Sequence, residues 1–197
     1  MKIKDAKFIK SVFIDDEKVM FEQKNEIIFI WRSNVGKSSL MNALMERKGL
    51  VKTSSRPWKT ITANLFLVNN KYFYTDLPGY WFAKLWKDIL EKLDALISWY
   101  IEERAPHIKK VLLLVDTKIW LQQKDIDMYN YVQELKIPIV IVLSKIDRLS
   151  KSEVQKAKNH IQKELFGQKL FAVSSSKKLW LKELSRDIRE ALEEKSI

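Results

Sequence analysis

The sequence predicts an α/β domain with a mostly parallel central sheet and helices on both faces. Three observations predict it. Short apolar runs alternate with amphipathic stretches along most of the chain. The runs are continuous rather than alternating, as strands buried on both faces require. Polar, glycine-bearing motifs follow the runs, where ligands of such sheets bind.

In chain order, Phe8–Ile14 reads as an edge strand and Asn25–Trp31 as a short apolar run that ends at a polar motif. Lys37–Glu46 has helical spacing, with Leu40, Leu44 and Met45 on one side. Arg47–Ala63 is polar and aperiodic, so it reads as a mobile loop. Asn64–Asn69 and Lys71–Leu77 flank an Asn-Asn turn and form a hairpin. Leu85–Arg104 is a long amphipathic helix. Strands at Val111–Asp116, Ile137–Ser144 and Leu170–Ser174 then alternate with helices at Asp125–Leu135, Lys151–Phe166 and Leu181–Glu194. The 197 residues suit a single domain, with residues 24–195 as its body and residues 1–23 as an extension packed on it.

Composition narrows the function. The chain has no cysteine, which excludes a disulfide scaffold and a Cys-ligated zinc site and suits a reducing cytoplasm. Its first residues lack the apolar core of a signal peptide. Val111–Val115 and Ile137–Leu143 are too short to cross a membrane, so no membrane partner is expected. Lys and Arg number 36 against 25 Asp and Glu, a net charge of +11. Such an excess suits a polyanionic partner such as nucleic acid, or else serves solubility. His107 and His160 have no neighbours at metal-binding spacing.

Four motifs carry chemistry. Trp31-Arg32-Ser33-Asn34-Val35-Gly36-Lys37-Ser38, followed by Ser39, matches the phosphate-binding loop G-x-x-x-x-G-K-[ST] except at its first position. Backbone N–H groups of such a loop wrap phosphates, Lys37 neutralises the outer ones, and Ser38 offers its hydroxyl to Mg²⁺. Asp76-Leu77-Pro78-Gly79 supplies an Asp that holds Mg²⁺ through water and a Gly whose N–H senses the γ-phosphate. Ser144-Lys145-Ile146-Asp147 matches the guanine-reading [NT]-K-x-D with Ser first. Asp147 would accept from the ring N–H and amino group of guanine, donors that adenine lacks, which disfavours an ATP-dependent kinase. Val173-Ser174-Ser175-Ser176 offers backbone donors to the guanine carbonyl. The four together predict a P-loop GTPase domain, small-G-protein-like, binding GTP and GDP and hydrolysing GTP. Lys37 and Gly79 are its candidate catalytic residues.

These stretches resemble the EngB (YihA/YsxC) family of bacterial GTPases across nearly the whole chain. The likeness is carried by RSNVGKSSLMNAL, TSSRPWKT, DLPGYWFAKL, VLLLVDTK, PIVIVLSKIDRLSKSE and VSSS. It implies Mg²⁺, a role in large ribosomal subunit assembly with its precursor and rRNA as partners, and a link to cell division and septation; a monomer is expected. It also implies that Thr60 is the switch-loop Mg²⁺ ligand and a catalytic residue, with Thr62 as the near alternative and Trp58, Lys59 and Ile61 beside the nucleotide. Asn34 resembles the K⁺-binding Asn of potassium-activated relatives, or else closes its loop by hydrogen bonding. Tyr80 stands where many GTPases carry a water-orienting Gln, so intrinsic hydrolysis should be slow. Lys151, Lys156, Lys158 and Lys163, then Lys169, Lys177, Lys178 and Lys182, form either an rRNA-facing surface or a solvated one.

One anomaly cuts across this pattern. The chain has only 4 glycines but 7 tryptophans. Trp31, Trp58, Trp81, Trp120 and Trp180, with Trp86 a further candidate, stand where the family has or readily takes glycine; Trp99 fits the apolar side of its helix. A gene whose UGA codons mean glycine, translated with the table that reads UGA as Trp, would produce this. Redesign, or a nucleotide-dead relative with Trp31 filling the phosphate site, are the alternatives.

Overall fold

The structure is a computed structural model that describes residues 3–16, 23–32, 35–52, 61–80, 87–165 and 167–194. Its sheet has seven strands: β1 (Ala6–Val12), β2 (Glu26–Trp31), β3 (Ala63–Val68), β4 (Tyr72–Asp76), β5 (Ile108–Asp116), β6 (Ile139–Ser144) and β7 (Leu170–Ala172). The spatial order is β1-β3-β4-β2-β5-β6-β7. β4, β2, β5, β6 and β7 are parallel neighbours, while β3 runs antiparallel between β4 and β1. The helices are α1 (Lys37–Leu44), α2 (Lys87–Arg104), α3 (Gln123–Glu134), α4 (Lys151–Glu164) and α5 (Leu181–Glu193).

Side-chain alternation divides the core between two faces. Ile28 and Ile30 of β2, with Val111 and Leu113 of β5, pack against α2, α3 and α4. Ile27 and Phe29, with Leu112 and Leu114, point the other way against α1 and α5. A fully apolar strand with helices on both sides is therefore the only reading that buries every residue of its run. Among the described residues, no helix is long and apolar enough to cross a membrane.

The element boundaries differ from expectation for local reasons. The edge strand β1 ends at Val12, two residues before Ile14, because Asp16 N–H bonds back to Phe13 O at 3.2 Å and Asp15 takes φ 62°. The hairpin turn falls where the Asn-Asn pair predicts it: Asn69 and Asn70 both have φ 52°, which Asn tolerates better than most residues. β5 begins three residues before Val111, at Ile108, and Lys110 on it reaches the Asp187 carboxylate of α5 at 2.6 Å. β6 starts at Ile139 and β7 ends at Ala172.

A charged cluster lies at the start of β2. Glu26 is fully buried and accepts from Tyr100 Oη at 2.7 Å, Arg104 Nε at 2.9 Å and the Thr75 hydroxyl. It ties β2, β4 and α2 together inside the core.

Candidate nucleotide-binding site

The predicted motifs that fall within the described residues lie at the carboxyl ends of parallel strands, along one end of the sheet. β2 ends at Trp31, and Gly36 opens α1 with φ 92°. A Cβ at Gly36 would stand 3.5 Å from Cε of Lys145. The Lys145 stem therefore lies across the phosphate loop, and its ammonium bonds Asp116 Oδ2 at 2.7 Å. Ser144 fastens the same two segments. Its hydroxyl lies 2.7 Å from the Val35 carbonyl and 3.2 Å from the Val115 carbonyl. The Thr117 hydroxyl donates in turn to the Ser144 carbonyl. Ser144 thus joins the phosphate-binding half to the base-reading half.

Asp147 projects into solvent on a single 3₁₀ turn, Ile146–Arg148. Ser176 donates to its carboxylate at 3.1 Å, and the hydroxyls of Ser174 and Ser176 hold that carboxyl below the usual range. An ionised, exposed carboxylate can accept both guanine donors. The Ser174 N–H is already committed to the Leu179 carbonyl at 3.2 Å, so Ser175 and Ser176 are the better placed backbone donors on this turn. Val173 N–H bonds Leu143 O at 2.7 Å and anchors the turn to β6.

Lys37 forms an ion pair with Asp76 and sits over the Trp31 ring, 4.0 Å from its centroid. Burial lowers its ammonium from the ordinary range to about 7. The Trp31 indole also touches Gly79: a Cβ on Gly79 would be 3.0 Å from Trp31 Nε1 and 3.3 Å from Trp31 O. A Cβ there would fit only if Trp31 shifted by a few tenths of an ångström. Tyr80 N–H bonds Trp31 O at 3.2 Å, and Leu77 N–H bonds Phe29 O at 3.2 Å. Ser38 is buried in the first turn of α1, and Asp76 is buried with Oδ1 lacking a partner among the described residues. Thr62 is buried and Ile61 half-buried beside β3. Ser39 faces solvent and Pro78 is half-buried. Ser33, Asn34, Trp58, Lys59, Thr60, Trp81 and Trp86 lie outside the described residues.

Two of the anomalous tryptophans have glycine-like backbones. Trp120 has φ 65° and Trp180 has φ 57°, a left-handed conformation unusual for a bulky side chain. Both indoles are exposed, at 40% and 61%. Trp99, by contrast, sits within α2 and packs against the core.

The motifs did not single out Asp116 or Asp125. Asp116 ends the apolar strand β5, a position that could have flagged it. Asp125 is fully buried at the start of α3 and accepts from the Tyr80 hydroxyl.

A parallel sheet with these loops at its strand ends defines the class: a P-loop GTPase domain. A family model described as "50S ribosome-binding GTPase" matches residues 26–145. The probable GTP-binding protein EngB of Clostridium acetobutylicum is 41% identical over 165 residues, 84% of this chain and 82% of that one. Its counterpart from Acholeplasma laidlawii is 39% identical over 186 residues, 93% and 96% of the two chains. A crystal structure of a probable GTP-binding protein engB superposes with a TM-score of 0.73 at 26% identity, covering 86% of this chain and all, 100%, of the other. The chain belongs to the EngB family of GTP-binding proteins. Era of Aquifex aeolicus, bound to GDP and aluminium fluoride, shares the fold at TM-score 0.70 and 21% identity over 89% of this chain and 59% of its own. The family consists of GTP-binding proteins, and membership does not support the nucleotide-dead alternative.

Proposed function

We propose that this protein is a GTP-hydrolysing switch that acts on the precursor of the large ribosomal subunit in the cytoplasm and, through it, on cell division and septation. The observation that carries the reading is the convergence of Lys37, Asp76, Gly79 and Asp147 on one end of the sheet, with Lys145 bridging the phosphate and base halves. Residues 24–195 are its GTP-binding body, and β1 (Ala6–Val12) of the preceding segment pairs with β3 at the sheet edge. The family model's description and the exposed lysines of α4 support a ribosomal partner.

In this reading Lys37 leaves Asp76 to neutralise the outer phosphates, and the Gly79 N–H binds the γ-phosphate. Asp147 selects guanine. The buried Oδ1 of Asp76, without a partner among the described residues, fits a metal-bound water, so Ser38, Thr60 and Asp76 would hold Mg²⁺. The bound ion supplies charge neutralisation at the phosphoryl oxygens. Tyr80 cannot orient water, because its hydroxyl is committed to Asp125, so hydrolysis by the isolated protein is slow and depends on a partner or on K⁺ at Asn34.

Trp31 decides the activity of this chain. Its indole lies under Lys37 and against Gly79, where phosphate and its sensing N–H must meet. We take residues 31, 58, 81, 120 and 180 to be glycine in the natural protein. Titration with a fluorescent GTP analogue tests the reading. Trp31→Gly should bind at least about tenfold more tightly than the Trp31 chain, the equivalent of one charge-assisted hydrogen bond. GTP should displace the probe and ATP should not. Equal displacement by ATP would remove guanine recognition, and no binding by either chain would remove the GTPase reading.

A further inference from the structure

The loop that grips phosphate and the segment that senses it share a buried anchor outside all four motifs. Asp125 is fully buried at the N-terminus of α3. One carboxylate oxygen accepts from Gln122 N–H at 2.9 Å, which fixes the side chain on its own helix turn. The other oxygen takes the Tyr80 hydroxyl bond and faces Arg32 Nε at 3.7 Å. Tyr80 directly follows Gly79, and Arg32 directly follows Trp31 at the end of β2. A backbone bond from Tyr80 N–H to Trp31 O, at 3.2 Å, closes the ring of contacts.

We propose that Asp125 is a positioning residue for the GTPase reaction: it holds the phosphate loop through Arg32 and the γ-phosphate-sensing segment through Tyr80 on a single carboxylate. A buried carboxyl needs donors, and Asp125 has the Tyr80 hydroxyl and the Gln122 N–H, with the Arg32 charge 3.7 Å away. The Gly79 N–H is therefore aimed in part by a contact one residue away, at Tyr80. Binding of triphosphate, which requires Gly79 and the loop together, should depend on the anchor. Binding of diphosphate, which engages the loop but not Gly79, should lose less, only what the Arg32 contact at 3.7 Å contributes.

The proposal rests on the GTPase reading and is tested in the full chain carrying Trp31→Gly. Affinities for GDP and for a non-hydrolysable GTP analogue are measured for that chain and with Asp125→Asn, Tyr80→Phe and both added. Each single variant should lower the preference for triphosphate over diphosphate about tenfold, with GDP affinity nearly constant in Tyr80→Phe and reduced by a smaller factor in Asp125→Asn, which also weakens the Arg32 contact. The double variant should be no worse than Asp125→Asn alone, because the one amide oxygen left by that change cannot serve both the Gln122 N–H and the Tyr80 hydroxyl, so Tyr80→Phe removes little more. Single-turnover hydrolysis should slow in step. A fold defect alone would weaken GDP and GTP equally, and that result overturns the proposal, as does an unchanged preference in Tyr80→Phe, which keeps the buried ring. If the Trp31→Gly chain binds no GTP at all, the GTPase reading itself fails.

Discussion

At the scale of the residue, tryptophan stands where backbone geometry asks for glycine. A left-handed conformation costs a residue with a Cβ roughly 1–2 kcal/mol. Trp180 incurs that cost at the N-cap of α5 with an exposed ring that recovers little by packing. Trp180→Gly should therefore stabilise the protein by about 1 kcal/mol, measured by urea denaturation. Trp120→Gly should gain less, because its ring also meets His160, with centroids 5.4 Å apart. Trp99→Gly is the control: it removes a helical residue packed on the core and should destabilise by at least about 1 kcal/mol from helix propensity alone. The codons should follow the same division, UGA at the first two and UGG at Trp99. Stabilisation by Trp99→Gly, or UGG at Trp120 and Trp180, would sink the idea. The backbone angles single out Trp120 and Trp180, which composition alone does not.

At the scale of the element, the sequence was legible wherever the signal was contiguous. The strand-end motifs are short runs, and the apolar strands between them are long enough to recognise. The Asn69-Asn70 turn was readable because few residue pairs accept two positive φ angles. β1 was harder: a register shift between Phe8 and Lys10 breaks the alternation that marks a strand. Asp125 was invisible because its partners, Arg32 and Tyr80, are distant in sequence. The same holds for Glu26, whose buried partners come from β4 and α2. That cluster is an element-level clamp, and removing one side strands a charge. Arg104→Ala should cost about 3–5 kcal/mol in denaturant unfolding. Replacing Glu26 and Arg104 together with apolar residues should cost much less. Additive losses would show that the pair is not coupled.

At the scale of the whole molecule, exposed lysines extend from α4 to the turn that follows β7, beside the base-reading end of the site. Lys156 and Lys163 of α4 are exposed, and Lys177, Lys178 and Lys182 continue the basic surface toward α5. The net charge of +11 was legible at once, but its placement needed the fold. Association with large-subunit particles should weaken steeply with salt, with the slope falling by about 0.7–0.9 for each phosphate that is no longer neutralised. Lys156→Glu with Lys163→Glu should therefore bind more weakly and with a shallower salt dependence, as read by sedimentation. Salt-independent association would point to an apolar interface instead.

The central place of β2 has a consequence for how this protein could be watched at work. β2 lies between β4 and β5, its residues Glu26–Ile30 are fully buried, and it ends at the phosphate loop. Its amide hydrogens should exchange with deuterated solvent only when the whole domain opens. The residues just beyond it can exchange through local opening. Deuterium uptake would then fall on nucleotide binding at Val35–Lys37 and Gly79–Tyr80 while the Ile27–Ile30 amides stay unchanged. One strand thus carries its own reference clock beside the site it supports, so occupancy and global stability can be read from a single experiment.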